Sequence, residues 1–188
     1  GLAAARLRLG QAYYFAEGVP ADYGRAREQF ELATATEPGA FNALGIYYSD
    51  GKAVPQDHVR AGEYFRKGAE QGDREAQFNL ASAYFMGEGV AHDEAEAKRW
   101  LTRAADAGDP MAQYMAGLES IIGFDVVQAV KRLQQAAAGG FVAALDKLCD
   151  LSLRERGVVS LSSAEFTPTV EAGIAENDRN VGGTRRQE

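Results

Sequence analysis

The chain has 188 residues, of which 46% are apolar and 25% are charged, as is usual for a globular domain or a short array of repeats. Its formal net charge is −7 and its pI is about 5.0, and no basic stripe is visible, which argues against a nucleic-acid-binding protein. The longest apolar runs are too short to span a membrane, so we expect no membrane insertion by this segment.

The chain begins with Gly1 rather than Met and enters a helical pattern at once. We therefore expect a trimmed chain or a piece of a longer protein, which leaves room for an upstream targeting signal. Cys149 is the one cysteine, so the chain cannot form an internal disulfide, and we expect this side chain to pack inside the last helix.

Three segments of the chain repeat one pattern at a nearly constant interval. The segments LGQAYYFAEGVPADYGRA, LGIYYSDGKAVPQDHVRA and LASAYFMGEGVAHDEAEA align without a gap and begin at Leu9, Leu44 and Leu80. A fourth copy begins near Ala112 and is four residues shorter, and a fifth half-copy runs from Phe141. Such a period is typical of solenoid arrays, in which each unit buries its apolar face against its neighbours.

Each copy predicts two helices. In the first helix a leucine, a small residue and a tyrosine share one face, as Leu44, Gly45 and Tyr48 do in the second copy. The small residue allows close approach of the second helix, whose bulky inner residues include Phe65 in this copy and Trp100 in the next.

The segment GEGVAHD joins the two helices of the third copy. Gly87 falls where the first helix must end, in the left-handed conformation that glycine tolerates best, and Val90 is expected to plug the turn. Asp93 is expected to cap the second helix, and Glu96 completes a capping-box pattern. A phosphate-binding loop would occur once, after a strand and with a lysine, whereas this segment recurs between helices in three copies. It therefore predicts a structural turn.

The junctions between copies share a glycine followed by an aspartate. Gly72 and Gly108 are placed to end one helix, and Asp73 and Asp109 to cap the next. Pro110 then stands at the first helical position, where its missing N–H costs nothing.

Three groups of residues carry a resemblance to a known family. They lie at the start of the first helix, in the turn and in the second helix: Ala40, Leu44, Gly45 and Tyr48; Gly87, Gly89, Val90 and Asp93; Ala97, Trp100, Ala104, Ala105 and Gly108. The pattern resembles the Sel-1-like repeat, a relative of the tetratricopeptide repeat, over roughly residues 5 to 153. The resemblance implies an all-α fold, a right-handed α/α solenoid of about four to five helix-turn-helix repeats. Two departures are Ala16, where a turn glycine is usual, and the missing turn of the fourth copy.

Residues 154–188 break the period, so we divide the chain into a repeat domain, 1–153, and a C-terminal segment, 154–188. We expect a short helix over 168–176 and a mobile tail from Asn177 onward. A group of apolar residues is expected to cover the last helix as a terminal cap: Val158, Val159, Leu161 and Phe166. The alternative is a linker to a further segment.

The sequence offers no catalytic or metal-binding pattern. His58 and His92 are the two histidines, and neither has a metal-ligand partner one helical turn away. The HDE triplet that begins at His92 contains residue types that bind metal ions, but Asp93 is already explained as a helix cap. No nucleophile elbow, zinc-protease or dinucleotide motif occurs. We therefore expect no enzyme activity, no metal and no cofactor.

In a solenoid of helix pairs, the first helices line the concave side. The positions that the leucine-glycine-tyrosine face leaves free are, copy by copy, Leu7, Gln11, Tyr14 and Phe15; Asn42, Ile46, Ser49 and Asp50; Phe78, Ser82, Phe85 and Met86; Tyr114, Leu118, Ile121 and Ile122. The last two sets are largely apolar and aromatic, as interface centres are. We predict that a partner contacts these last two sets together with Asn42 and Ile46, and that Phe78, Phe85 and Tyr114 are the anchors. The alternative is that some of these side chains fill gaps between helices.

The resemblance implies a non-enzymatic adaptor or scaffold that binds a protein or peptide in its concave groove. One alternative is an immunity or inhibitor protein that occludes a secreted bacterial toxin enzyme. Another is a repeat segment of a larger envelope assembly or regulatory protein, involved in polysaccharide secretion or cell-wall organisation. The resemblance favours the bacterial periplasm or envelope and leaves the cytoplasm open.

Overall fold

The computed structural model describes residues 1–154, with side chains described through Leu151. The expected cap, short helix and tail lie outside the described residues. Within residues 1–154 the chain forms nine α-helices and no strand: α1 (Leu2–Phe15), α2 (Tyr23–Ala33), α3 (Gly39–Asp50), α4 (His58–Glu70), α5 (Arg74–Met86), α6 (Glu94–Asp106), α7 (Pro110–Ile122), α8 (Val126–Ala138) and α9 (Val142–Arg154). The predicted all-α repeat fold is confirmed.

The chain divides into two compact units. The first comprises Gly1–Ala112 and the second begins at Gln113, so the division falls inside α7. In the first unit α1 packs on α2, α3 on α4 and α5 on α6, which gives one helix pair for each gap-free copy of the sequence pattern. In the second unit α8 packs on α9.

Small residues set the distance between the helices of a pair, as the sequence predicts. A β-carbon at Gly10 would lie 2.6 Å from the ring of Phe30, and one at Gly117 would lie 3.0 Å from Leu133. Phe30 and Leu133 are almost fully buried, so each pair closes around a bulky side chain that only a small residue can accommodate.

The turns within the pairs also follow the prediction. Gly51 and Gly87 end their helices in the left-handed conformation, with φ of 65° and 72°, and Ala16 adopts the same conformation with φ of 59°. The side chain of Asp93 accepts hydrogen bonds from the backbone N–H groups of Ala95 and Glu96, which confirms the cap.

The capping box expected at Glu96 does not form. The backbone N–H of Asp93, which Glu96 would have to reach, donates instead to the carbonyl of Tyr84 at 3.1 Å. The Glu96 carboxylate accepts a hydrogen bond from Arg99 at 2.7 Å. Equivalent bonds join Asp22 to Tyr13 and Asp57 to Tyr48, at 3.1 and 3.0 Å, so each second helix is tied to the first at its cap.

The turn of the third copy also contacts the preceding pair. A β-carbon at Gly89 would collide with the backbone carbonyl of His58, at the start of α4. Val90 lies over α4 as well, since its Cγ1 would be 3.2 Å from a β-carbon at Gly62. The apolar contact predicted for Val90 therefore joins two neighbouring copies. It also explains why α4 has a glycine at residue 62, where a side chain would meet Val90.

The second unit has its own core. Leu133 and Leu148 are buried, and Tyr114, Ile121 and Phe141 pack around them. The expectation that Cys149 packs inside the last helix is wrong: its side chain is exposed. The buried positions of α9, among them Leu148, recur one helical turn apart, and the next residue along the chain points about 100° away from that face.

Gly18 and Gly89 provide a matched test of the inter-repeat contact. They occupy equivalent turn positions and share a φ of +72°, but a β-carbon at Gly18 would meet no atom within 4 Å. We expect Gly18→Ala to cost about 1 kcal/mol of stability, the conformational penalty alone. Gly89→Ala should cost clearly more, because the turn has to move off α4. Urea unfolding measures both, and equal losses would contradict the contact.

Candidate protein-interaction surface

The first helices of the first unit lie side by side, with α1 beside α3 and α3 beside α5. We use the name first-helix face for the surface of α1, α3 and α5 around Phe15, Ile46, Ser82 and Phe85. The helices that form it carry six of the ten predicted partner-binding residues: Asn42, Ile46, Phe78, Ser82, Phe85 and Met86. The other four lie on α7 in the second unit.

Asn42 ties two of these helices together. Its side chain is 4% exposed, its amide nitrogen donates to Glu75 at 3.2 Å, and its amide oxygen accepts from Asn79 at 2.8 Å. Both partners belong to α5. Because its polar atoms are occupied and it is buried, we assign Asn42 a positioning role beneath the surface.

Tyr14 was expected on the free face, but it is buried. Its hydroxyl donates to Asp50 at 2.8 Å, and Lys52 lies 2.9 Å from the same carboxylate. The Lys52 ammonium also sits 4.8 Å from the Tyr14 ring centre and 5.9 Å from that of Phe15. Partial burial disfavours the charged form of Asp50, but the hydrogen bonds from Lys52 and Tyr14 outweigh it and hold the pKa of Asp50 below its usual value.

Two of the cavities in the first unit are bordered by its first helices. The first, which we call the Leu7 groove, has a volume of about 280 Å³ and lies among α1, α3 and the first turn of α5. The second has a volume of about 270 Å³ and is lined by α3, α4 and α5, with Ser49, Asn79, Ser82 and Glu88 among its polar groups. Ile46 lines both cavities and is half-buried.

Phe85 and Met86 are the most exposed of the predicted residues on α5, at 62% and 64%. Ser82 and Phe78, one and two turns earlier, are half-buried. The backbone under Phe85 is held by His92, whose Nδ1 lies 2.8 Å from the Phe85 carbonyl oxygen. This hydrogen bond gives the histidine a structural role in the turn and requires the tautomer that carries its proton on Nδ1.

The four predicted residues of α7 differ from one another in exposure. Tyr114 is half-buried, with its ring centre 4.8 Å from that of Phe141, and Ile121 packs on the core of the second unit. Leu118 is half-buried, whereas Ile122 is 79% exposed. Within this unit, Ile122 is therefore the member of the set that is open to a partner.

Acidic groups gather at one end of the Leu7 groove. Burial raises the pKa of Asp73, and the nearby Glu37 and Asp109 raise it further. Glu75 is exposed as a whole residue, but partial burial of its carboxylate beside the Asn42 amide raises its pKa, and Asp73 adds to the effect. Both carboxylates are thus less favourable in their charged form here than in water.

The two histidines of the chain do not form a metal site within the described residues. His58 Nδ1 lies 3.8 Å from the Glu88 carboxylate, and among residues 1–154 no group of three or more His, Cys, Asp or Glu side chains could hold a metal ion. No helix in that range is both long and apolar enough to cross a membrane.

Helix pairs that recur at intervals of 35 or 36 residues, with exposed aromatic side chains on one layer, define an all-α repeat protein. The Sel1 repeat family model matches residues 3–35, 40–73 and 74–109, which is more than half of the chain. The chain belongs to the Sel1 repeat family. Members of this family are generally non-enzymatic scaffolds and protein–protein interaction modules.

The chain is similar to one curated protein and to several solved structures. A stretch of 83 residues is 36% identical to the alginate biosynthesis protein AlgK of Pseudomonas syringae pv. tomato and covers 44% of this chain but only 18% of that protein. A Sel1 repeat protein from Oxalobacter formigenes shares 25% identity with a TM-score of 0.75, over 93% of this chain and 74% of that one. The protective antigen c5321 of uropathogenic Escherichia coli, which has an SLR fold, shares 25% identity with a TM-score of 0.70, over 98% of this chain and 43% of that one.

The polar groups that organise this surface, Asn79 and Glu75, are not among the residues predicted from the sequence. Asn79 lies 37 residues after Asn42, so two amides about one repeat apart could have been recognised as a possible ladder. For Glu75 no local signal exists, because its proximity to α3 depends on how neighbouring pairs stack.

Alanine substitution of two aromatic residues should distinguish an exposed side chain from one that packs in the core. Phe85→Ala should leave the free energy of unfolding nearly unchanged, because the side chain is mostly exposed. Tyr114→Ala should cost about 3 kcal/mol, because it removes the contact with Phe141 and opens a gap at the second core. Thermal and urea unfolding compare the two, and a large loss for Phe85→Ala would place that residue in the core.

The raised pKa of Asp73 predicts a pH dependence of stability. Its folded-state pKa is above the ordinary value of 3.8, so the contribution of Asp73 to stability falls as the pH rises from that value through the raised one. Asp73→Asn keeps a side-chain oxygen for the cap and should flatten this fall. Asp57→Asn serves as a control for the loss of a capping carboxylate, because Asp57 caps α4 in the same way and lies outside the Leu7 groove. Urea unfolding between about pH 3.5 and 7 tests this: the stability of the parent relative to Asp73→Asn should fall as the pH rises, and a difference that grows with pH would contradict the prediction.

Proposed function

We propose that this chain is a non-enzymatic interaction module that binds a protein or peptide partner on its first-helix face, with Phe85 as the central anchor. The observation that carries the proposal is the exposure of Phe85 and Met86 at the end of α5, on a backbone held by His92. A large aromatic side chain that is exposed yet fixed at its backbone loses little conformational entropy on binding. Exposed apolar side chains of this kind are enriched at interface centres.

Phe78 and Ser82 extend the same helix surface, and Ile46 contributes from α3. These three are half-buried, so they provide a shaped base around the exposed pair. In the second unit, Ile122 is the exposed residue of the α7 set, and we propose it as a further contact. The family membership supports the general role, and the choice of residues is our proposal.

A comparative capture experiment tests this function. The tagged chain is incubated with an extract of the organism that encodes it, and bound proteins are quantified for the parent, Phe85→Ala and Leu32→Ala. Leu32 is 44% exposed on α2, a second helix, and provides a control of matched chemistry. Loss of an interface anchor costs about 2 kcal/mol or more, some thirtyfold in affinity. We expect Phe85→Ala, and not Leu32→Ala, to lose the partner. Retention by Phe85→Ala with loss by Leu32→Ala would move the site to the second helices.

The likeness to AlgK favours a second, more specific candidate. AlgK is an alginate biosynthesis protein, and the matching stretch is 36% identical. This chain would then be a repeat segment that assembles the proteins of a polysaccharide biosynthesis system. Genes for polymer synthesis beside the gene for this chain, and capture of their products through Phe85, support that candidate. A toxin gene in that position would point instead to an immunity protein.

A further inference from the structure

The Leu7 groove has the dimensions of a short peptide site. Its apolar walls come from Leu7 and Phe15 of α1 and Ile46 of α3, and Phe15 is 53% exposed. Leu7 and Phe15 lie about two helical turns apart, roughly 11 to 12 Å at 1.5 Å per residue. About three residues of extended peptide cover that distance.

One end of the groove has carboxylate oxygens, and none of the residues that line the groove is a lysine or an arginine. Asp73 uses Oδ1 to cap α5, where it accepts from Ala76 at 2.7 Å. Its Oδ2 faces Gly39, where a β-carbon would lie 3.3 Å from that oxygen and 3.4 Å from a methyl of Leu7. The outer oxygen of Asp73 and an apolar side chain thus border the same small space, which is kept open by the absence of a side chain at residue 39.

Glu37 adds a charge at this end of the groove without serving as a cap. The helix that follows it, α3, has Pro38 at its N-cap and no side-chain cap. Glu37 lines the groove together with Asp73 and Glu75. The pKa values of Asp73 and Glu75 are raised first by the burial of these carboxylates and then by the other carboxylates nearby.

Two cations lie near the ends of the groove. Arg74, which follows Asp73, opposes the rise in the pKa of Asp73 and of Glu75, but burial outweighs this effect, and the Arg74 side chain donates to the carbonyl of Gly108 at 3.2 Å. Lys52 pairs with Asp50 and covers the ring of Phe15, which is the opposite end of the groove. The groove is therefore acidic at its Leu7 end, whereas the Lys52–Asp50 pair beside its Phe15 end has no net charge, and this difference orients an occupant as well as selecting it.

We infer that the Leu7 groove binds a peptide segment that carries a lysine or arginine about three residues away from a large apolar side chain. The methylenes of the basic residue lie on Leu7 and its charge meets Asp73 and Glu75. The apolar side chain lies against Phe15 and Ile46. This inference rests on the proposed function, since it names the chemistry of a partner segment, but it concerns a different part of the first-helix face from Phe85.

The test uses two defined peptides, acetyl-GKAALG-amide and acetyl-GEAALG-amide, titrated into the full chain and followed by NMR of labelled backbone amides and methyl groups. We expect the lysine peptide to shift the signals of Leu7 and Ile46 and to bind at least tenfold more tightly than the glutamate peptide. Equal affinity, tighter binding of the glutamate peptide, or no shift at these residues up to 10 mM peptide would overturn the inference.

A charge-matched pair of variants identifies the site. Asp73→Asn with Glu75→Gln should weaken the lysine peptide about tenfold, and asparagine keeps the cap so that the helix survives. Glu63→Gln with Glu70→Gln changes the net charge equally on α4, outside the groove, and should leave affinity unchanged. Equal weakening by both pairs would mean a non-specific charge effect and would overturn the inference.

Two further measurements separate this inference from other outcomes. Phe85→Ala should leave the affinity for the lysine peptide unchanged. If the lysine peptide does not bind but Phe85→Ala still loses the captured partner, the groove inference is refuted and the proposed function stands. Peptide binding without any effect of Phe85 on capture refutes the proposed anchor alone. Sedimentation velocity of the parent and Ile46→Glu tests for a second copy as occupant: a concentration-dependent dimer that Ile46→Glu dissolves would overturn the peptide assignment.

Discussion

The geometry of each helix pair depends on one contact, a bulky side chain of the second helix against a small residue of the first. Gly10 faces Phe30 and Gly117 faces Leu133 so closely that an added β-carbon would lie no farther than 3.0 Å from the opposing side chain. Helices can approach this closely only where one of them lacks a side chain. The bulky residue is buried within the pair, so one side of the first helix is fully used in packing. Its other side is left to the neighbouring first helices and to the surface.

The ties at the caps then decide how rigid that surface is. The backbone N–H of Asp93 donates to the Tyr84 carbonyl, and His92, one residue earlier, reaches the carbonyl of Phe85. In the second copy Gln56 makes the same contact with the carbonyl of Ser49, at 2.7 Å. The last turn of the first helix is thus held from outside by a polar side chain of the connecting turn. A side chain presented there projects from a fixed backbone, which lowers the ordering cost of binding.

The sequence predicts whatever is local and repeated. Helices, left-handed turn residues and aspartate caps each depend on a few adjacent positions, and three copies reinforce every signal. What could not be predicted depends on contacts between copies. Tyr14 is buried because Asp50, one repeat and one residue later, reaches its hydroxyl. Glu96 fails to close a capping box because the N–H it needs is already bonded to the first helix. Cys149 is exposed because it lies next to the buried Leu148 in sequence and therefore about 100° away around α9. A short apolar segment does not determine which of two neighbouring apolar residues faces the core.

The electrostatics of the Leu7 groove follow from the repeat itself. Glu37, Asp73 and Asp109 occupy equivalent positions in successive copies, so the stacking of the pairs brings like charges towards one another. Two of the three carboxylates cap helices and gain from the helix N-terminus, which offsets their mutual repulsion. Glu37 has no such compensation, because α3 is not capped by a side chain. Because an acidic residue recurs just before the first helix of successive copies, the repeat places several carboxylates near one another, although no single copy requires such a cluster. A positive charge that enters the groove lowers the electrostatic repulsion among these carboxylates without any rearrangement of the helices. The groove therefore favours a positively charged occupant over a negatively charged one.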